Sequence, residues 1–163
     1  MHMEGVLPLS LADLWRLFAL HMDEDTIRAI HPWMVSGRVV ASEGTATYEG
    51  LTFPTKHVVE REIRIARRTL RNTWTYRVEP PRVFSYQVRG VQGFVSTFDN
   101  TYRGEGAGTR VVTDAQVNIG RVPRFLQRRI AGRLLERADA EDLAYVRKYG
   151  LQRPAEVSRP KGT

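Results

Sequence analysis

The chain has 163 residues, a net charge of +7 and no cysteine. A chain of this length buries about two thirds of its unfolded surface, enough for one domain with its own core, which we place at residues 1–150. The lack of cysteine excludes disulfides, thiolate metal sites and cysteine nucleophiles. No stretch reaches the ~20 apolar residues of a membrane span, and residues 1–10 do not resemble a secretion signal, so we expect a soluble, cytoplasmic protein.

The first part of the chain predicts a strand followed by two short helices. The strand is expected at residues 2–7. Ser10 is typical of a helix N-cap, and apolar residues after it recur at helical spacing: Leu11, Leu14, Trp15, Phe18 and Met22. The acidic run 23–25 begins a second helix. This helix is expected to end near His31, because Pro32 disfavours helical geometry in the residue before it.

From Val35 to Ile119 the apolar period changes to two, which is typical of strands. In residues 69–78 bulky side chains alternate with Thr and Arg, and the bulky set is Leu70, Asn72, Trp74, Tyr76 and Val78. One face of this strand is therefore expected to be packed and the other wet. The breaks between segments are too short for helical crossovers, so we predict six or seven antiparallel strands in a meander.

Residues 122–149 predict one long amphipathic helix that stops at Gly150. Leu126, Ile130 and Leu134 recur every four residues and are predicted to face inward. A neighbouring ridge is basic: Arg124, Arg128, Arg129, Arg133 and Arg137. Residues 121–163 carry eleven Lys or Arg against five Asp or Glu, so most of the net charge lies here. The tail, 151–163, lacks an apolar period and is expected to be a disordered basic segment.

This order of elements resembles the START-like superfamily, also called SRPBCC. The segments PLSLADLWRLF, HPWM and GTRVVTDAQV add local similarity, and the resemblance covers about residues 2–149. It implies an α+β helix-grip fold, in which a curved antiparallel sheet wraps around the long C-terminal helix. The superfamily includes polyketide cyclases and dehydrases, lipid-transfer domains, coenzyme Q binding proteins and pollen-allergen-like proteins. The resemblance therefore implies a cavity for a hydrophobic or amphipathic small molecule, with no cofactor.

The candidate ligand-binding residues follow from this cavity. Its walls are expected to be the aromatic residues Trp74, Tyr76, Phe84 and Tyr86, and its lid the ridge at Leu126, Ile130 and Leu134. The alternative is that the aromatic residues only fill a core. In residues 56–67 the odd positions are the more apolar set, which places His57, Arg61 and Ile63 on the inward side. An inward Arg61 requires an anionic ligand group or an internal carboxylate such as Asp99.

Two other functions are compatible with the sequence. A polyketide cyclase or aromatase would use His57 or Tyr76 as acid or base and Arg61 to hold an anionic enolate. An RNA- or ribosome-associated protein, or one that docks on an anionic membrane, would use the arginine ridge of the last helix. That ridge is also compatible with a solvated face whose arginine stems cover apolar surface.

Two further patterns predict no site of their own. His2, His21 and His31 show no spacing typical of metal ligands, so we predict no metal site. The glycine-rich stretch 103–110 lies between two strands and lacks the helix N-terminus of a phosphate-binding loop, which indicates a hairpin.

Overall fold

The computed structural model describes residues 1–65, 67–90, 94–120 and 122–153. The expected tail beyond residue 153 and the expected turn at 91–93 lie outside this range. The elements in chain order are β1 (His2–Leu7), α1 (Leu11–His21), α2 (Glu24–Ile30), β2 (Met34–Glu43), β3 (Ala46–Tyr48), β4 (Leu51–Phe53), β5 (Lys56–Ile65), β6 (Arg68–Glu79), β7 (Val83–Gly90), β8 (Phe94–Glu105), β9 (Gly108–Ile119) and α3 (Arg124–Tyr149).

Seven strands form one antiparallel sheet in the order β1-β9-β8-β7-β6-β5-β2. The α+β class, the sheet of six or seven strands and the long final helix are thus confirmed. The sequence did not predict the separate hairpin of β3 and β4. Each of its strands has only three residues, too few to show an alternating pattern.

Local capping sets the two short helices where the sequence places them. The Ser10 hydroxyl accepts a hydrogen bond from the Asp13 backbone N–H at 3.1 Å and so caps α1. Asp23 caps α2 in the same way, accepting from the Thr26 backbone N–H at 2.8 Å. Each cap satisfies a backbone donor that the first turn of a helix leaves free. These two helices lie at one end of the concave face of the sheet.

Trp15 of α1 closes that end of the fold. Its side chain is fully buried, and its Nε1 donates to the Pro81 carbonyl at 3.0 Å. Five aromatic rings contact it edge-on, from Phe18, Tyr48, Phe53, Phe84 and Tyr102. The hairpin of β3 and β4 contributes two of these rings. The concave face of the sheet is therefore filled by packed side chains at the α1 end.

The last helix, α3, contacts β9 and α2. Pro123 is its N-cap residue, and Gly150 ends it with a φ of 67°, which favours glycine. Its buried residues are Gln127, Ala131 and Tyr145. Within the described residues, no helix has the length and apolar character needed to cross a membrane.

Candidate functional site

Arg61 is the most buried charged residue of the concave face, with 1% of its surface exposed. Its guanidinium makes a bidentate pair with Glu24 of α2: Nε donates to Oε2 at 3.0 Å and Nη2 to Oε1 at 2.6 Å. Nη1 donates to the Tyr76 hydroxyl. The inward orientation that the sequence predicts for Arg61 is therefore confirmed. Its internal carboxylate is Glu24 and not Asp99, which is exposed opposite Asp114 on β9.

The row of residues across the sheet at Arg61 leaves room for this pair. Gly37, Arg61, Asn72 and Gly90 are aligned on β2, β5, β6 and β7. A Cβ atom on Gly37 would overlap the Glu24 carboxylate, and one on Gly90 would overlap the Asn72 amide. Gly37 is thus required for the close approach of α2 to the sheet.

Two aromatic rings complete the environment of Arg61. Its guanidinium carbon lies 5.2 Å from the Trp74 ring and 5.3 Å from the Tyr76 ring, within the range of cation–π contacts. Burial by itself lowers the pKa of Arg61, but Tyr76 and Glu24 together raise it above its ordinary value. Burial also raises the pKa of Tyr76, so this phenol is neutral at pH 7. The arginine stays charged, and its donors are directed at protein groups.

A ladder of stacked rings crosses the concave face beside this pair. Trp74 stacks on Tyr86 with ring centroids 5.6 Å apart, and Tyr86 stacks on Phe98 at 4.8 Å. Trp74 and Tyr86 are half-buried. Phe84, which the sequence predicts as a fourth wall, instead stacks on Phe18 at 4.1 Å in the core under α1. The ladder thus presents partly exposed aromatic surface on the concave face.

Three buried polar atoms near the ladder have no hydrogen-bond partner among the described residues: His57 Nε2, Trp74 Nε1 and Ser96 Oγ. The other ring nitrogen of His57, Nδ1, lies 2.7 Å from the Ser42 hydroxyl. Burial and the nearby Arg61 lower the pKa of His57 although Glu24 opposes them, so its imidazole is neutral at pH 7. A buried polar group without a partner costs about 1–3 kcal/mol, so such groups call for an explanation. Ile63, also predicted inward, is buried beside Met34 and Ile27.

Two carboxylates of α3, those of Asp139 and Asp142, are close enough to the ladder to affect Tyr86. Burial raises the pKa of Tyr86, and the charges of Tyr76, Asp139 and Asp142 add to this effect. Desolvation and the nearby Asp142 raise the pKa of Asp139 to about 6, although solvent reaches this residue. These two carboxylates thus contribute negative potential at the Tyr86 phenol.

The predicted lid ridge flanks the buried side of α3. Leu126, Ile130 and Leu134 are 37%, 40% and 46% exposed, whereas Gln127 and Ala131, one residue farther along, are buried. The assignment of these three residues to the lid stays a prediction. The five arginines of the basic ridge are exposed, and Arg137 pairs with Glu141 at 2.8 Å.

The second half of α3 is fastened by groups that the sequence did not single out. His21 Nε2 lies 2.9 Å from the Asp142 carboxylate, and His31 Nδ1 lies 2.8 Å from the Glu141 carboxylate. Trp33 Nε1 donates to the same Glu141 oxygen at 2.8 Å. These contacts join α3 to the ends of α1 and α2. Sequence spacing could not reveal them, because the partners come from three separate elements.

A broad open groove of about 710 Å³ is lined by residues of β2, β5, β6 and β7. Its exposed charges already pair with one another: Arg38 with Glu60 at 2.7 Å and Arg71 with Glu62 at 2.9 Å. The groove is therefore a weaker ligand candidate than the aromatic ladder, where buried polar atoms lack partners.

Comparisons with known proteins identify similar structures. No protein-family model matches the chain, and no curated protein matches it in sequence. Ara h 8.0201 has a similar structure, with a TM-score of 0.69 and 13% identity over 90% of this chain and 95% of that one. The ZhuI aromatase/cyclase from Streptomyces gives a TM-score of 0.58 and 14% identity over 98% and 94% of the two chains. A START superfamily protein from Mycobacterium smegmatis gives 0.54 and 15% over 88% and 92%.

The buried ion pair leads to a test by substitution. Glu24→Gln keeps the side-chain shape but leaves the Arg61 charge without a counterion. Removing one partner of a buried pair typically costs about 3–5 kcal/mol, so we expect the free energy of unfolding to fall by this amount. Urea denaturation followed by circular dichroism measures it.

The matched control is Glu62→Gln. Glu62 lies on β5, the strand of Arg61, and pairs with the exposed Arg71. An exposed pair contributes about 0–1 kcal/mol. Replacing both buried partners, by Glu24→Gln with Arg61→Met, is expected to be less destabilising than Glu24→Gln alone. Equal costs for Glu24→Gln and Glu62→Gln would contradict a structural role for the buried pair.

Proposed function

We propose that this chain, whose fold is the helix-grip fold of START-like proteins, binds or carries an amphipathic small molecule between its concave sheet face and α3. The ligand would be lipid-, isoprenoid- or polyketide-like, with a flat apolar body and a few polar groups. The observation that carries the proposal is the set of buried, unpartnered polar atoms of His57, Trp74 and Ser96 beside the stacked rings.

The chemistry of these atoms defines what a ligand must offer. Trp74 Nε1 is a donor only, the Ser96 hydroxyl both donates and accepts, and the free nitrogen of neutral His57 does one or the other according to its tautomer. A ligand hydroxyl or carbonyl would satisfy them and remove the cost of leaving them unpaired. The ladder of Trp74, Tyr86 and Phe98 would contact the apolar part of the molecule.

Arg61 has a supporting role in this proposal. Its guanidinium donates to Glu24 and Tyr76, and these protein groups account for its burial without an anionic ligand. We infer that it positions the Tyr76 and Trp74 rings through their cation–π contacts. The ligand therefore does not have to be an anion.

A cyclase-type reaction is the less favoured alternative. It was predicted to use Arg61 for an enolate, but that arginine is engaged by protein groups, and the Tyr76 phenol is neutral and bound to it. His57 retains one free, buried nitrogen and is neutral, so it is the remaining candidate for a general base. A single general base without a second acid–base group is not a complete catalytic set, so we favour binding over catalysis.

The binding proposal predicts opposite effects on stability and affinity. Ser96→Ala removes an unpartnered hydroxyl with little change in shape, so the free energy of unfolding is expected to stay equal or rise. Trp74→Phe removes the unpartnered indole N–H but also part of a stacked ring, so its stability is measured only as a control for folding. Binding of 1-aminoanthracene, a flat probe with one polar group, is expected to weaken by about 3- to 10-fold in Trp74→Phe, because the indole N–H is lost as a hydrogen-bond donor. Fluorescence titration measures the affinity. Trp74→Leu, which also removes the stacked ring, is expected to bind more weakly still.

The matched control is Thr75→Ala, because its side chain lies on the opposite face of the same strand. It is expected to leave probe affinity unchanged. Native mass spectrometry of the freshly purified protein provides a second measurement. Absence of any small-molecule adduct, together with equal probe affinity in all four variants, would contradict the proposal.

The exposed side of α3 favours a second candidate function, docking on an anionic membrane. Phe125 is 71% exposed and lies next to the partly exposed leucine and isoleucine ridge. The arginines at 124, 128, 129 and 133 are exposed on the same half of the helix. Basic residues beside an exposed apolar ridge are typical of helices at a lipid surface, whereas RNA phosphates require only the charges.

Membrane docking is tested with vesicles that contain phosphatidylserine. Phe125→Ser is expected to lower co-sedimentation, because it removes apolar surface that would enter the acyl boundary. Val6→Ser, at a residue 58% exposed on β1, is the control and should not change it. Binding to RNA that Phe125→Ser leaves intact and that salt abolishes would support the ribosome or RNA alternative instead.

A further inference from the structure

We propose that His21, His31 and Asp142 form a binding site for a divalent transition-metal ion of the zinc type. One ligand atom from each residue lies within 4.8 Å of the other two. His21 ends α1, His31 is the C-cap residue of α2, and Asp142 lies on α3. The site uses none of the rings of the aromatic ladder, and its binding of a metal ion does not depend on the proposed ligand.

Two of the three distances between ligand atoms are near those around a single ion, and all three atoms lie within 4.8 Å of one another. His21 Nε2 and His31 Nε2 lie 2.9 Å and 3.4 Å from the same Asp142 oxygen, Oδ1. Tetrahedral coordination with bonds of about 2.0–2.2 Å separates ligand atoms by roughly 3.3–3.6 Å. Two imidazole nitrogens and one carboxylate oxygen are a common three-residue set for zinc, with a fourth position left for water. Magnesium and calcium prefer oxygen ligands and would not be selected.

The groups behind His31 orient it as a ligand. Its Nδ1 lies 2.8 Å from Glu141 Oε2, which also accepts from Trp33 Nε1 at 2.8 Å. Arg137 Nε donates to the other Glu141 oxygen at 2.8 Å. A histidine that donates Nδ1–H to a carboxylate presents the lone pair of Nε2, the arrangement found behind metal-bound histidines.

This tautomer explains why a cation is expected. The lone pair of His31 Nε2 then faces Asp142 Oδ1 at 3.4 Å, and both atoms are acceptors. A metal ion between them satisfies both and is close enough for His21 Nε2 to complete the set. The two histidines are 8% and 3% exposed, and the Asp142 side chain is 15% exposed, so the site is shielded but reachable.

A metal at this point would join three elements. It would fix the second half of α3 to the ends of α1 and α2. The inferred role is structural: the ion anchors the helix that covers the cavity.

The test uses the purified full chain after treatment with a chelator. Zn²⁺ is titrated in competition with a chromophoric chelator, and one equivalent is expected to bind. The visible absorption of the Co²⁺ form is expected to show a tetrahedral nitrogen and oxygen environment. His21→Gln and Asp142→Asn remove ligands and are expected to abolish stoichiometric binding. Glu141→Gln is expected to weaken binding by about 10- to 100-fold.

The control is His2→Gln. His2 lies 2.9 Å from Asp114 in an exposed pair on the sheet edge, so it reports adventitious binding to surface histidines. It should bind one equivalent with wild-type affinity. The proposal is overturned if the wild-type chain binds no stoichiometric Zn²⁺, or if His21→Gln binds as well as wild type. The Co²⁺ spectrum of the wild-type chain is independent of the folding of any variant, and an octahedral spectrum would also overturn it.

Discussion

The buried ion pair between Glu24 and Arg61 is the constraint on which the architecture of the concave face depends. A guanidinium with 1% exposure must have a counterion, since an uncompensated buried charge costs several kcal/mol. The requirement holds the first turn of α2 against β5, and Gly37 provides the space for it. The same guanidinium reaches Tyr76 and Trp74 on β6. One interaction therefore sets both the position of α2 and the position of two rings in the proposed cavity.

The concave face then divides into two parts with different properties. At the α1 end Trp15 is enclosed by aromatic rings, and its indole nitrogen has a partner in Pro81. At the ladder, Trp74 is only half-buried, and its indole nitrogen has no hydrogen-bond partner in the part of the chain that the structure describes. The same residue type is thus a satisfied core residue in one place and a candidate binding group in the other. The contrast supports a ligand site at the second place and a purely structural role at the first.

The two halves of the last helix, α3, also differ in their contacts. Glu141 and Asp142 contact His31 and His21, so the second half of α3 is held by polar groups. In its first half the buried residues are Gln127 and Ala131, and neighbouring leucines are partly exposed. The polar contacts that anchor α3 thus lie in its second half, and its first half carries the partly exposed apolar ridge that we propose as the lid.

Sequence patterns predicted the features that depend on local order. The cap at Ser10, the alternation of residues 69–78 and the end of α3 at Gly150 each follow from a few neighbouring residues. Glu24 could not be assigned to Arg61, because an acid in the first turn of a helix is already explained by the helix dipole. In the first half of α3 the buried residues are Gln127 and Ala131, each one position after a residue of the ridge that the sequence predicted to face inward. The side chain of Gln127 donates to the Val122 carbonyl at 2.5 Å, a contact that apolar periodicity does not predict.

Hydrogen–deuterium exchange of the α3 backbone amides, measured with and without bound 1-aminoanthracene, tests the proposed ligand site most directly. In the free protein we expect faster exchange at residues 124–138 than at 139–149, because the second half is anchored by Asp142 and Glu141. Probe binding should slow exchange in the first half and along β6 and β7. Equal protection along the whole helix, unchanged by the probe, would contradict a ligand site beneath it.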